Sequence, residues 1–158
     1  MEAHPDTGRP ESESERLDRN LEELLQELRV ALPGVQVLFA FLLVVPFNQR
    51  FAEITTFQQT VYFVTLLLAS AASAFLIAPT VHHRVQFRQQ DKERIVLTAN
   101  RFAVVGLALL AIAMTGAIVM ITDLLYRSTT VAIVAGGVGL MFAVLWYVVP
   151  LRRYVQRA

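Results

Sequence analysis

Residues 102–122 read FAVVGLALLAIAMTGAIVMIT. The run carries no charge and is apolar on every side of a helix. At about 1.5 Å per residue a helix of this length covers roughly 30 Å, the thickness of a bilayer's hydrocarbon core. Buried helices of water-soluble domains are seldom so long and so uniformly apolar. This stretch is a membrane span, and the rest of the chain is read outward from it.

Downstream, residues 131–150, VAIVAGGVGLMFAVLWYVVP, form a second uncharged run. Upstream, residues 57–79, FQQTVYFVTLLLASAASAFLIAP, form another. The first run, PGVQVLFAFLLVVPF at residues 33–47, is short and reaches a full span only by borrowing neighbours to about residue 50. The chain has 158 residues, 55% of them hydrophobic, and a mean hydropathy of +0.50. Soluble domains carry about 45–50% apolar residues even with glycine counted. The expected fold is all-α: an integral membrane bundle of four transmembrane helices, at about 33–50, 57–79, 102–122 and 131–150.

Lys and Arg in the flanks set the expected orientation. Arg16, Arg19 and Arg29 precede the first span. Arg84, Arg88, Lys92, Arg94 and Arg101 lie between spans two and three, and Arg152, Arg153 and Arg157 follow span four. The other two loops hold only Arg50 and Arg127. Both termini and the basic loop 80–101 are therefore expected in the cytoplasm. The short loops 48–56 and 123–130 are expected outside. Tyr62, Trp146, Tyr147 and Tyr154 are expected as interfacial anchors. The acidic start, MEAHPDTGRPESESE, lacks the basic head and apolar centre of a cleaved signal peptide.

Outside the lipid, residues 1–13 form an acidic, Pro-, Glu- and Ser-rich tail expected to be disordered. Ser12 with Glu15 fits a Ser-x-x-Glu capping box, so a helix is expected to begin there. Leu17, Leu21, Leu24, Leu25 and Leu28 then recur at helical spacing, with charged residues on the other face. Residues 14–32 are read as a cytoplasmic amphipathic helix that "ALPG" ends, since Pro33 suits the first turn of the next helix. Its polar face is acidic, which favours packing on the basic loop or a partner protein over lying on lipid. Residues 151–158 are a basic cytoplasmic tail.

Polar groups within the bilayer are the default pointers to function, and this chain has few. Gln36 lies about one turn into span one and is read first as a helix-to-helix hydrogen-bond partner. Asn100 and Asp123 mark the two ends of span three. No charged residue falls near the middle of any span, which counts against a self-contained ion antiporter. Small residues at four-residue spacing in span four, Ala135, Gly136, Gly139 and Ala143, are read as helix-packing positions. A homo-oligomer through such positions is a further expectation.

His82 and His83 are adjacent, so they point about 100° apart and do not share a helix face. No metal site is expected. The chain has no cysteine, which removes disulfides and thiolate chemistry. There is no phosphate-binding loop, nucleophile elbow or zinc-protease motif. No catalytic residues, no cofactor and no nucleic-acid partner are expected, and the protein is read as a non-enzyme.

The run ELLQELRVALPGVQVLFAFLLVVPFNQRF, with VYFVTLLLASAASAFLIAP, HHR, LTAN and the TDLLY after span three, resembles a family of small bacterial four-span membrane proteins catalogued as a domain of unknown function. The likeness runs from about Leu17 to Arg153. It implies a multi-pass protein of a bacterial cytoplasmic membrane. Some members carry a sodium:proton antiporter label. The resemblance carries no site residues. The reading is a non-enzymatic interaction or regulatory module, reaching the lipid bilayer and a cytoplasmic protein partner through its N-terminal helix. The alternative is a small oligomeric transporter of protons or cations.

Overall fold

A computed structural model describes residues 12–85, 92–126, 129–149 and 152. Most of the acidic tail at 1–13 and of the basic tail at 151–158, Tyr154 included, lies outside the described residues. Helix α1 spans Glu13–Val44 and is followed by short 3₁₀ turns at Val45–Phe47 and Gln49–Glu53. Helix α2 spans Thr56–Val85, α3 Lys92–Leu125 and α4 Thr129–Ala143, the last running on into a π-helical turn at Val144–Val148. Four segments are long and apolar enough to cross a membrane: Glu15–Phe47, Thr56–Val81, Arg94–Leu125 and Thr129–Val148. Only 22% of the apolar window of α3 is buried inside the protein, so its remaining apolar surface needs a lipid environment.

The start of α1 follows its sequence. The Ser12 N–H donates to Glu15 Oε2 at 2.8 Å and the Glu15 N–H donates to Ser12 Oγ at 3.4 Å, closing the capping box. The bond from the Ser12 backbone, with that from its hydroxyl, holds the Glu15 carboxyl below its usual value of 4.5. A lowered carboxyl pKa stabilises the folded state above the unfolded value, and this is lost as pH falls through the folded value. Acidification to below 4.5 is therefore expected to fray the first turn. Ser12→Ala should fray it at neutral pH, at a local cost of about 1 kcal/mol. Amide hydrogen exchange of Arg16 and Leu17 reads both effects.

The end of that helix differs from expectation. The chain does not break at Pro33, which sits inside α1. Buried Leu21, Leu28, Val35 and Leu42 recur every seventh residue, so one seam crosses the proline. The amphipathic segment 14–32 and span one are thus a single helix. Proline removes the hydrogen bond to the carbonyl four residues earlier, that of Arg29. Arg29 is the last charge before the apolar run, so that carbonyl lies where water can reach it. Likewise, the segment read as loop 80–101 is helical as far as Val85 and again from Lys92. Helices α1, α2 and α3 all extend beyond their apolar runs at the N-terminal end of the bundle.

The core seam explains the assembly. On α2 the buried positions are Gln58, Tyr62, Thr65, Ala69, Ala72, Leu76 and Pro79, spaced alternately four and three. On α3, buried Ala99, Ala103, Gly106, Leu110 and Ala113 continue the same rhythm. This spacing keeps one side of each helix against its neighbour along an antiparallel pair. Lipid tails are as apolar as leucine, so close backbone approach through small residues drives such pairing. A Cβ on Gly106 would lie 2.8 Å from Leu76 Cδ2, and one on Gly116 would collide with Thr65 Oγ1. Helix α1 lies against both α2 and α3, whereas α4 packs on α3 alone among the described helices.

Candidate functional site: the polar groups of the bundle

The sequence places Gln36, Asn100 and Asp123 as candidate polar positions, and the fold does not bring them together. Asn100 and Asp123 are on the same helix, about 35 Å apart at the helical rise. Asn100 is exposed near the N-terminal end of the bundle. Asp123 is half-buried at the short-loop end, where its Oδ2 accepts a 2.9 Å hydrogen bond from Gln58 Nε2. Gln36 is exposed on α1, and no hydrogen bond joins it to another described residue. Among the described residues, the expected helix-to-helix bond of Gln36 is not formed.

Gln58 was not singled out from sequence, yet it organises the short-loop end. Its Oε1 accepts from the Thr55 N–H at 3.0 Å, and its own N–H donates to Thr55 Oγ1 at 3.2 Å. The two residues form a reciprocal cap on α2. The amide still has a donor, and Nε2 spends it on Asp123 of α3. Gln58 is only 8% exposed. One side chain thus caps α2 and ties it to the last turn of α3. The signal was legible as Thr-x-x-Gln ahead of an apolar run.

Tyr62 corrects another expectation. It is not an interfacial anchor but a buried group, whose hydroxyl donates to the Leu42 carbonyl at 2.9 Å. The cause is in the sequence: the N–H that would reach Leu42 from four residues on belongs to Pro46, which has none. Tyr62 supplies the missing donor, and Phe51 packs edge-on against its ring at 5.1 Å. Trp146 is also drawn inward. It packs on the cluster around Leu28, Val35 and Leu76 and meets Phe142 edge-on at 5.0 Å. The adjacent Tyr147 donates to the Val104 carbonyl of α3 at 3.3 Å. Both residues lie in the π-helical turn, and Tyr147 fastens the end of α4 to α3.

The small residues of span four do not act as expected inside the chain. Gly136 and Ala143 are exposed, and Ala135 and Gly139 are half-buried. A Cβ on Gly136 or Gly139 would meet nothing within 4 Å among the described residues. Close approach occurs instead at Gly106 and Gly116, because the closely packed helix pair is α2 with α3. Three hydroxyls of the spans bond to their own helices. Ser73, Thr115 and Thr122 donate to the carbonyls of Ala69, Ala111 and Ile118, each one helical turn back. Among the described residues, no three His, Asp or Glu side chains group as metal ligands. The side chains of His82 and His83 lie outside the described residues.

A family model covers residues 10–150 of this pattern, the family of unknown function DUF6328. The chain belongs to that family. The match includes the capped start of α1, the seam residues of α2 and α3, and the Gln58–Asp123 tie. No curated protein and no solved structure matches the chain.

Proposed function

We propose that this multi-pass membrane protein works without enzymatic chemistry, as an interaction or regulatory module whose contact surface is the charged face of α1. The observation that carries this reading is a division of labour on that helix. Its leucines are taken up by the protein's own bundle, Leu21 and Leu28 being 8% and 3% exposed. Glu15, Asp18, Glu22, Glu23 and Glu27 remain exposed on a helix anchored to α2 and α3. Residues 13–29 hold six acids and three arginines. A rigid acidic face of this kind complements a basic protein segment and steers it electrostatically. The excess of Lys and Arg beside this end of the bundle favours a cytoplasmic position for the face.

The transport reading has less to rest on. Its three polar positions lie at separate levels, and Asp123 is engaged by Gln58. Two measurements separate the readings. Full-length protein is purified from its native membranes beside a Glu23→Lys, Glu27→Lys variant. The interaction reading expects a basic partner that co-purifies with the first and is reduced at least about tenfold with the second, the loss of about 1.4 kcal/mol. Proton- or sodium-driven flux in liposomes, abolished by Asp123→Asn, would replace it with transport. A periplasm-only reporter active at the C-terminus would reverse the orientation.

A further inference from the structure

Gln36 stands apart from the bonded polar groups of this bundle. Along α1 it lies about 10 Å beyond Arg29 and about 17 Å short of Phe47, well inside a hydrocarbon layer about 30 Å thick. The hydroxyls of Ser73, Thr115 and Thr122 return to their own helices, and Gln58 is bonded on both sides. Gln36 is exposed instead, and no hydrogen bond joins it to another described residue. An amide facing hydrocarbon without a partner is costly, and polar side chains at such depth are rare without one.

The surroundings say what the partner is. With 3.6 residues per turn, Gln36 points about 100° away from buried Val35. Exposed Arg29, Pro33, Gln36, Ala40, Leu43 and Phe47 follow the same alternation of four and three as the inner seam. This makes a second seam along the outer flank of α1. A primary amide both donates and accepts, so two copies meeting across a twofold axis satisfy each other with the same residue. Ala40, one turn beyond, keeps side-chain bulk low beside the amide and lets the backbones close in. A pair of Gln36 amides needs no other polar group from either protein.

We infer that the protein forms a parallel homodimer in the membrane through the outer seam of α1, with Gln36 hydrogen-bonded to Gln36 of a second copy. The partner proposed above would use the opposite flank of α1, at Glu23 and Glu27, so either proposal can fail alone.

The chain has no cysteine, so single cysteines report contacts cleanly. Full-length protein is reconstituted into phosphatidylcholine–phosphatidylglycerol vesicles and oxidised with copper phenanthroline. Ala40→Cys and Leu43→Cys should give disulfide-linked dimers, whereas Phe41→Cys and Gly136→Cys should not. Single-molecule photobleaching across a lipid dilution series then measures the dimer. Gln36→Leu should shift the dimer–monomer midpoint about 3- to 15-fold toward monomer, the range of interhelical side-chain hydrogen bonds in membranes. Gln36→Asn should restore most of it. Should Gln36→Leu lose its helical signal, Ala40→Trp replaces it, blocking approach without touching the inner seam. Monomers at every dilution would overturn the dimer. Cross-links at Gly136→Cys, or a midpoint indifferent to Gln36→Leu, would overturn the interface.

Discussion

Gly116→Val is expected to push α2 away from α3 and to be the most damaging single substitution considered for this bundle. Any Cβ at Gly116 runs into the hydroxyl of Thr65, a β-branched side chain only 2% exposed. Overpacking a close-fitted core costs about 1–3 kcal/mol, and a branched side chain at a backbone contact belongs at the upper end. Gly136→Val makes the same change on α4, where a Cβ meets nothing among the described residues. It should stay within about 0.5 kcal/mol of the parent. Unfolding midpoints of the two variants in a mild detergent give the comparison. Thr65→Ala should recover part of the loss in the Gly116→Val background, since the two positions share one contact. Equal midpoints for the two glycine variants would mean that α2 and α3 are not apposed in this register.

Asp123→Leu is expected to have the second-largest effect. Gln58 would keep its bonds to Thr55 but lose the acceptor for Nε2, at a depth where water does not freely replace it. An orphaned buried amide costs about 1–3 kcal/mol. Asp123→Asn retains a carbonyl oxygen and should lose less, because only the charge assistance of the bond disappears. Gln58→Leu should lose more than Asp123→Asn, since it removes the α2 cap as well. Unfolding midpoints ordered wild type, Asp123→Asn, Gln58→Leu would support the network. A midpoint unchanged in Asp123→Leu would remove Asp123 from any structural role.

These two predictions sit on residues the sequence exposes unequally. Asp123 stands out as an acid at the end of an uncharged run. Gln58 hides as one of several polar residues before a span. Gly116 and Thr65 appear as scattered small residues, since spacing within one helix does not pair a position with its neighbour on another. Four-residue spacing instead selects Ala135, Gly136, Gly139 and Ala143 on α4, where a Cβ on Gly136 or Gly139 meets nothing within 4 Å among the described residues. Spacing states which residues share a face. It does not state which neighbour that face meets.

Local chemistry alone determined much of this protein. Four uncharged runs dictate four spans, because hydrocarbon accepts no unpaired backbone and a helix satisfies its own. Ser12 and Glu15 dictate where α1 begins, because both partners of the capping box lie within one turn. What only the tertiary structure decided are long-range matters. Pro33 reads as a stop, yet α1 continues through it because the seam from Leu21 to Leu42 stays packed on α2 and α3 on both sides. Tyr62 reads as an anchor at the lipid surface, yet Pro46 leaves a carbonyl twenty residues away for it to satisfy. Gln36 reads as a bond between helices of one chain, yet it is exposed and bonded to no other described residue. In the first two cases the deciding partner is distant in sequence, and its position depends on how the helices pack.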